Sequence, residues 1–455
     1  MKDISDTIAA ISTAPGPGGI AVIRISGPAS LAVADRIFKC APPLPSRRKA
    51  PALVFGHVVS GKETLDEALL LIMRAPKSYT REDVIEIQCH GGTLCAQRVL
   101  RSVLDRNVRL ADPGEFTRRA FINGRIDLVQ AEAVIDIINA QTELSAKIAM
   151  EQLLGRLTHS LEDIYKILLD STADLESALD FMDDELPDTF IPAKVKRLQK
   201  AKDKINALLA TWNEGHILRE GALVVISGKP NTGKSTLLNA ILGKDRVIVS
   251  PVPGTTRDII EEHVVIGGIP IRLTDTAGLR KSDCAIEQEG VRRARSQIGM
   301  ADINIYVLDA SVEIDEEDRS HITSLDPARS IIVFNKKDLG IKADASLIDK
   351  YKVISTYAIA REGIVEVTKA ILNKLNLKKS AAHHSAVSER HRQILSESIS
   401  SLDHSILLLK SNKDSMLILA AADLKNVLNG IASIIGKLYQ EDVLDSIFSK
   451  FCIGK

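Results

Sequence analysis

The stretch Gly228–Ser235, reading Gly-Lys-Pro-Asn-Thr-Gly-Lys-Ser, constrains this 455-residue chain more than any other. It has the spacing G-x-x-x-x-G-K-[ST]. The apolar, β-branched run Ala222–Ser227 precedes it and reads as a buried strand. Thr236–Leu242 follows it and reads as a helix start. Such a loop works only in that context. Glycines let backbone N–H groups close around phosphates, and the helix N-terminus adds its positive dipole end. Lys234 then reaches the terminal phosphates and the Ser235 hydroxyl ligates Mg²⁺. The expected contact set here is Asn231, Thr232, Gly233, Lys234, Ser235 and Thr236.

Two later motifs select the nucleotide. Asp275-Thr-Ala-Gly278 follows the apolar run Ile269–Leu273, so a carboxylate at a strand end faces the Mg²⁺ shell and Gly278 offers an N–H to a γ-phosphate. Asn335-Lys336-Lys-Asp338 follows Ile331–Phe334. The Asp338 carboxylate accepts from guanine N1–H and its 2-amino group. Adenine lacks that donor pair, so the unpaired carboxylate rejects ATP. In this order, each after a strand, the motifs predict a GTPase. Between them, Ser250–Asp258 supplies a switch threonine, Thr256, as second Mg²⁺ ligand. Ser355 closes the last strand as the guanine-side contact. The residue after Asp-x-x-Gly is Leu279, which cannot orient water, so another polar residue of Arg280–Glu289 is needed: Asp283, Glu287 or Glu289.

The rest divides by pattern. Residues 1–118 alternate short apolar strands with helices and read as an α+β domain. Residues 119–220 and 377–455 show apolar positions at three- and four-residue spacing and read as one helical domain. The doubly wound, Ras-like domain of residues 221–376 is inserted into it. Lys+Arg and Asp+Glu are 59 each, so no global field draws nucleic acid, and a local patch or another subunit has to. The basic loop Pro42–Lys49 and the lysines of Lys194–Trp212 read either as solvated faces or as RNA contacts. The five cysteines (Cys40, Cys89, Cys95, Cys284, Cys452) form no C-x-x-C pair and no even framework. With no basic-then-apolar leader and no run of about 18 apolar residues, a cytoplasmic protein with no membrane span is expected. Arg24 and Glu86 stand inside apolar strand patterns, where an unpaired charge is costly. They read as an outward strand position, as a buried ion pair, or as a ligand site.

Several stretches together resemble the MnmE (TrmE) family of bacterial tRNA-modification GTPases over essentially the whole chain. They are Asp6–Ala10, Gly18–Ile20 with Arg24–Gly27, Tyr79–Asp83 to His90–Gly92, Pro113–Phe116, Asp127–Ala133, Gly254–Asp258, Asp275–Arg280 and the terminal Phe451-Cys-Ile-Gly-Lys455. The resemblance implies that the N-terminal domain binds a tetrahydrofolate derivative, 5,10-methylenetetrahydrofolate, and forms a homodimer. Arg24, Glu86, Arg125 and Lys455 would make the folate contacts, with Cys452 either near that site or inert. It also implies a K⁺ ion in place of an arginine finger, held by Asn231 and by the loop of Ser250, Val252 and Thr255. It names Glu287 as the water-orienting acid. It implies work with a flavoprotein, MnmG (GidA), on C5 of the wobble uridine of certain tRNAs. One departure is Ser355-Thr-Tyr357 in place of a guanine-contacting Ser-Ala, where the backbone N–H of Thr356 is expected to meet guanine O6. The competing readings are a switch GTPase without folate chemistry and a folate enzyme acting on another substrate.

Overall fold

The computed structural model describes residues 6–180, 187–245, 261–275, 299–344, 348–376, 387–411 and 414–455. The chain forms two units. One is made of Met1–Ile135, Leu153–Ala201 and Ser400–Lys455, the other of Asp136–Gln152 and Lys202–Ile399.

The first unit carries a seven-stranded sheet: β1 Ile8–Ile11, β2 Ile20–Ser26, β3 Phe38–Cys40, β4 Ala52–Ser60, β5 Glu63–Met73, β6 Val84–His90 and β7 Arg109–Leu110, in the order β3-β4-β5-β6-β2-β1-β7. Only the β1–β7 pair is parallel. Side chains alternate along β2: Ile23 and Ile25 are fully buried, and Arg24 between them points to the opposite face. The helices Ser30–Ile37 and Thr93–Leu104 cover the apolar face through Val33, Ile37, Val99 and Val103. The helix Glu115–Ile122 runs through residue 118 and packs the opposite side, with Phe116 fully buried beside Ile8 and Ala10.

In the same unit the helix Arg156–Asp180 packs on Asp414–Ile435. Part of the latter, Met416–Ile435, is the one segment among the described residues long and apolar enough to cross a membrane, and half of it is buried in this packing. Leu417, Leu424, Val427 and Ile431 recur at helical spacing on the buried side, the pattern of a core helix. In the basic helix Phe190–Ala210, Lys194 is buried and ion-paired to Asp174, so it does not belong to an exposed basic face; Lys196, Arg197 and Lys200 are exposed.

The second unit holds a six-stranded sheet: β8 Ala222–Ser227, β9 Glu261–Ile266, β10 Ile269–Asp275, β11 Ile303–Asp309, β12 Ser330–Asn335 and β13 Lys352–Ser355, in the order β13-β12-β11-β8-β10-β9. Five strands are parallel, and β9 pairs antiparallel with β10 at the edge. That edge strand lies where no strand was expected. The Gly267-Gly268 turn, both glycines at positive φ, folds β9 straight onto β10. β11 and β12 are buried on both faces, as the unbroken apolar runs demand.

Candidate functional site

In the parallel sheet β8, β11, β12 and β13 all end on one side, and each motif follows a strand end there. The chain leaves β8 at Ser227 and turns through Gly228, at φ +139°, where an added Cβ would stand 2.3 Å from the Val307 carbonyl oxygen. Asn231 takes the left-handed conformation at φ +62° and is exposed at the loop apex. Gly233, at φ +94°, lies so close to the Asn335 carboxamide that a Cβ would meet Nδ2 at 2.2 Å. The helix Lys234–Asp245 then starts, two residues before the expected Thr236. Lys234 is buried, and its ammonium donates to the Lys229 carbonyl at 2.6 Å, across its own loop. Ser235 is exposed one residue into the helix, and Asp275 ends β10 beside Ile226 of β8. A glycine-framed loop that leads into a helix carrying a lysine and a hydroxyl in its first turn is the kind of surface that receives phosphate.

Asn335, buried at 3% exposure, ties the loops together. Its Nδ2 donates to the Thr232 carbonyl at 3.0 Å. Its Oδ1 accepts from the Thr356 hydroxyl at 3.1 Å and from the Ala358 N–H at 3.2 Å. Lys336, at φ +61°, turns its ammonium onto Asp309 at 2.7 Å. Burial opposes ionisation of Asp309, but bonds from Lys336 and from the Ser311 hydroxyl and N–H outweigh it, and its carboxyl lies below the usual carboxylate range. Asp338 is exposed, with no hydrogen-bond partner among the described residues, as a base-reading carboxylate has to be.

The expectation for Thr356 is corrected. Its N–H donates to the Phe334 carbonyl at 2.7 Å, within the β12–β13 pairing, and is not free for a base. The N–H that faces Asn335 belongs to Ala358, two residues on. The loop that delivers it closes with Arg361 in the left-handed conformation and Gly363 at φ +81° against the Ser355 carbonyl. Ser355 itself is exposed at the end of β13. The expected residues Ser250, Val252, Thr255, Thr256, Gly278 and Glu287 lie outside the described residues.

The charges singled out in the N-terminal sheet come together. Arg24 and Glu86 are direct partners across the β2–β6 ladder, and Arg24 Nε donates to Glu86 Oε1 at 2.8 Å. The pair is neither outward nor sealed, with side chains 16% and 15% exposed. The Arg24 guanidinium lies 5.2 Å over the Tyr79 ring and 5.5 Å over Phe116. Arg125 lies 4.7 Å over the same tyrosine and donates to its carbonyl at 3.3 Å. Tyr79 is therefore the shared contact of two cations, an arrangement the sequence did not signal. An open cleft of about 660 Å³ begins at Tyr79 and Arg125 and is walled by Met73, Pro76 and Arg81.

The last residues of the chain are docked here. Phe448 and Phe451 bury themselves with Phe121, Ile126 and Leu128. Gly454, at φ +98°, sits so close to the Ile11 carbonyl that a Cβ would be 2.3 Å away, and its own carbonyl accepts from Arg24 at 3.5 Å. That brings Lys455 next to the Arg24–Glu86 pair. Cys452 is an exposed free thiol.

A charge network underpins this face. Arg119 is 2% exposed and bonds the Asp6 carbonyl at 2.8 Å, Glu82 at 3.2 Å and Glu115 at 3.0 Å; Asp6 also offers its carboxylate. Arg109 clamps Glu115 with bonds of 2.7 and 3.0 Å. Burial opposes ionisation of Glu115, but bonds from Arg109, the Asp112 N–H and Arg119 outweigh it, and its carboxyl lies below the usual range.

The family model of the TrmE N-terminus matches residues 7–125, and that of the MnmE helical domain matches residues 128–452. The tRNA modification GTPase MnmE of Clostridioides difficile is 41% identical over 461 residues, covering 99% of this chain and 100% of its own. That of Geobacter sulfurreducens is 43% identical over 460 residues, with the same coverage. The G domain of the Thermotoga maritima FeoB iron transporter is 26% identical over 34% of this chain and 98% of its own; its TM-score of 0.26 is too low to carry weight. With strand-end motifs, helical halves and N-terminal domain all accounted for along its length, the chain belongs to the MnmE family of tRNA modification GTPases.

Proposed function

We propose that this chain is a K⁺-activated GTPase that works in the cytoplasm as a homodimer with the flavoprotein MnmG. In this reading it modifies C5 of the wobble uridine of certain tRNAs with a one-carbon unit from 5,10-methylenetetrahydrofolate. The carrying observation is the meeting of Arg24, Glu86, Arg125 and the docked C-terminus around Tyr79. Folate has a pterin with N–H donors for Glu86, an aromatic body for the Tyr79 surface and glutamate carboxylates for Arg125 and Lys455. Bound there, it supplies the methylene carbon.

At the nucleotide, Lys234 neutralises charge developing on the terminal phosphates, and Ser235, Thr256 and Asp275 would hold Mg²⁺, which would add positive charge there. Asp338 reads guanine N1–H and the 2-amino group. Asn231 is exposed at the loop apex, where its carboxamide serves, with Ser250, Val252 and Thr255, as a K⁺ ligand. A cation there supplies the charge an arginine finger provides elsewhere. Glu287 orients the attacking water in place of Leu279.

Two measurements test this reading. Mass analysis of tRNA nucleosides from cells lacking the gene should show the wobble uridine without its C5 substituent, and an unchanged nucleoside would sink the tRNA assignment. GTP hydrolysis should be at least roughly tenfold faster in K⁺ than in Na⁺. Asn231→Ala should erase that difference while GTP still binds. Equal rates in both salts for the intact protein would remove K⁺ from the mechanism.

A further inference from the structure

On the opposite face of the N-terminal sheet, three metal-competent side chains from three elements converge. Cys89 is the penultimate residue of β6, Asp66 lies on β5, and Cys95 is in the first turn of the helix Thr93–Leu104. Their ligand atoms all lie within 4.8 Å of one another. The His90-Gly91-Gly92 turn makes this possible. Gly91 packs so close to Gly18 that a Cβ would stand 2.0 Å from its carbonyl oxygen, and Gly92 takes φ +132°. A chain with side chains at both positions could not double back from strand to helix in so few residues.

The contacts orient the set. Cys95 Sγ lies 3.2 Å from Asp66 Oδ2, and Cys89 Sγ lies 3.6 Å from the Ala21 carbonyl oxygen. His90 holds the carboxylate from outside, with Nδ1 2.8 Å from Oδ1 and its backbone N–H donating to Oδ2 at 2.7 Å. Two sulfurs on a tetrahedral Zn²⁺ stand about 3.8 Å apart, since each Zn–S bond is about 2.3 Å. The three atoms are thus within a side-chain adjustment of that geometry. Cys89 is 2% exposed and the other two are half-buried, so the site is walled on one side by the apolar core and open on the His90 side.

We propose that Cys89, Cys95 and Asp66 form a binding site for a thiophilic divalent cation, Zn²⁺ being the best fit, with water in the fourth position and His90 positioning the carboxylate. Two thiolates with a carboxylate form a soft donor set, which Mg²⁺ and Ca²⁺ do not select. On binding, each thiol passes its proton to solvent and no electrons move. Two thiolates and Asp66 carry three negative charges, so the zinc-loaded set has a net charge of −1. The metal would tie β5, the end of β6 and the helix into one clamp. The sequence hid this set because Asp66 is more than twenty residues from Cys89.

Cobalt substitution of the full-length, reduced, chelator-stripped protein tests the proposal. One equivalent of Co²⁺ should give a sulfur-to-cobalt charge-transfer band and the intense visible bands of a tetrahedral site, and one equivalent of Zn²⁺ should bleach both and raise the melting temperature. Co²⁺ at the nucleotide's Mg²⁺ position has oxygen ligands and gives no such band. Cys95→Ser keeps the bond to Asp66 and the half-buried packing, so it should fold, lose the charge-transfer band and bind Zn²⁺ at least tenfold more weakly. His90→Ala should retain the band with roughly tenfold weaker affinity. Absence of the band in the reduced wild-type protein, its persistence in Cys95→Ser, or recovery of a Cys89–Cys95 disulfide from freshly lysed cells would overturn the assignment.

Discussion

The two sheets build binding surfaces by opposite means. In the parallel sheet, strand ends present backbone: Gly228 and Gly233 allow the close approach, and Asn335 holds the loops by bonds to a carbonyl and an N–H. In the antiparallel sheet, strand middles present side chains: Arg24 and Glu86 meet across a ladder, and cations stack on Tyr79. Backbone sites are local, since a few consecutive residues make them. Side-chain sites on a sheet face need residues far apart in sequence. The first kind depends on its glycines, its lysine and the few side chains, such as Asn335, that hold its loops. The second depends on every partner of a charge cluster, because removing one leaves the others uncompensated.

Arg119 should show that dependence most strongly. Arg119→Met keeps the volume and leaves Asp6, Glu82 and Glu115 facing one another without their central cation. Breaking a buried charge cluster by removing one member costs on the order of 3–5 kcal/mol. Urea unfolding should show a loss of that size, and a loss under about 1 kcal/mol would mean the network adds little. The same groups set the acid response. Asp6 and Glu115 have folded-state values below their ordinary ones, so their contribution is present above the unfolded carboxylate range and is lost as pH falls through the depressed values. The wild-type protein should therefore weaken below about pH 4, and the variant, with its carboxyls less depressed, should show a shallower loss over the same range.

The backbone site should respond in rate rather than stability. Lys234→Ala removes the one charge of the phosphate loop aimed across its own turn and leaves the glycine framework intact. Loss of a preorganised charge costs about 10²- to 10³-fold in turnover. Single-turnover GTP hydrolysis should fall by that factor with the melting temperature nearly unchanged. A fall in melting temperature comparable to that of Arg119→Met would erase the contrast between the two sheets.

That contrast also explains what the sequence made legible. The parallel sheet and its loops were readable because strand, loop and helix are consecutive and each motif constrains its neighbours. The edge strand β9 was missed because two glycines break the run before β10 and no motif follows it. The contact expected of the Thr356 N–H was misread because the hydrogen bond that occupies it, to the Phe334 carbonyl, is a pairing between strands. In the antiparallel sheet, Arg24 and Glu86 stood out as charges in apolar runs. Their partnership, the role of Tyr79 and the Arg119 network depend on register and on contacts up to 113 residues apart. No local pattern carries those.

Glu86 gives an intermediate effect. Glu86→Ala strands Arg24 on a half-open surface, where it can turn to the Gly454 carbonyl and to water, so the fold should lose little. If the face receives folate, the lost charge-assisted bonds are worth about 1.5–3 kcal/mol, and calorimetric titration of 5-formyltetrahydrofolate should show at least about tenfold weaker binding. GTP hydrolysis should be unchanged. Unaltered folate affinity would make the pair structural and leave the cleft at Arg125 without its expected companion.

Thr356 should show the smallest effect and ties the comparison to a single bond. Its hydroxyl donates to Asn335 Oδ1, which also accepts from the Ala358 N–H, and Asn335 Nδ2 reaches the Thr232 carbonyl in the phosphate loop. Thr356→Val keeps the β-branched shape demanded at the end of β13 and removes only that donor. The carboxamide oxygen then retains one bond instead of two. A neutral hydrogen bond contributes about 1 kcal/mol net, so GTP and GDP affinity should each fall about fivefold. If Asn335 acts only by holding the loops, the preference for guanine over adenine nucleotides should be unchanged, because Asp338 still faces the base. A large loss of guanine preference in this variant would mean that Thr356 itself faces the base.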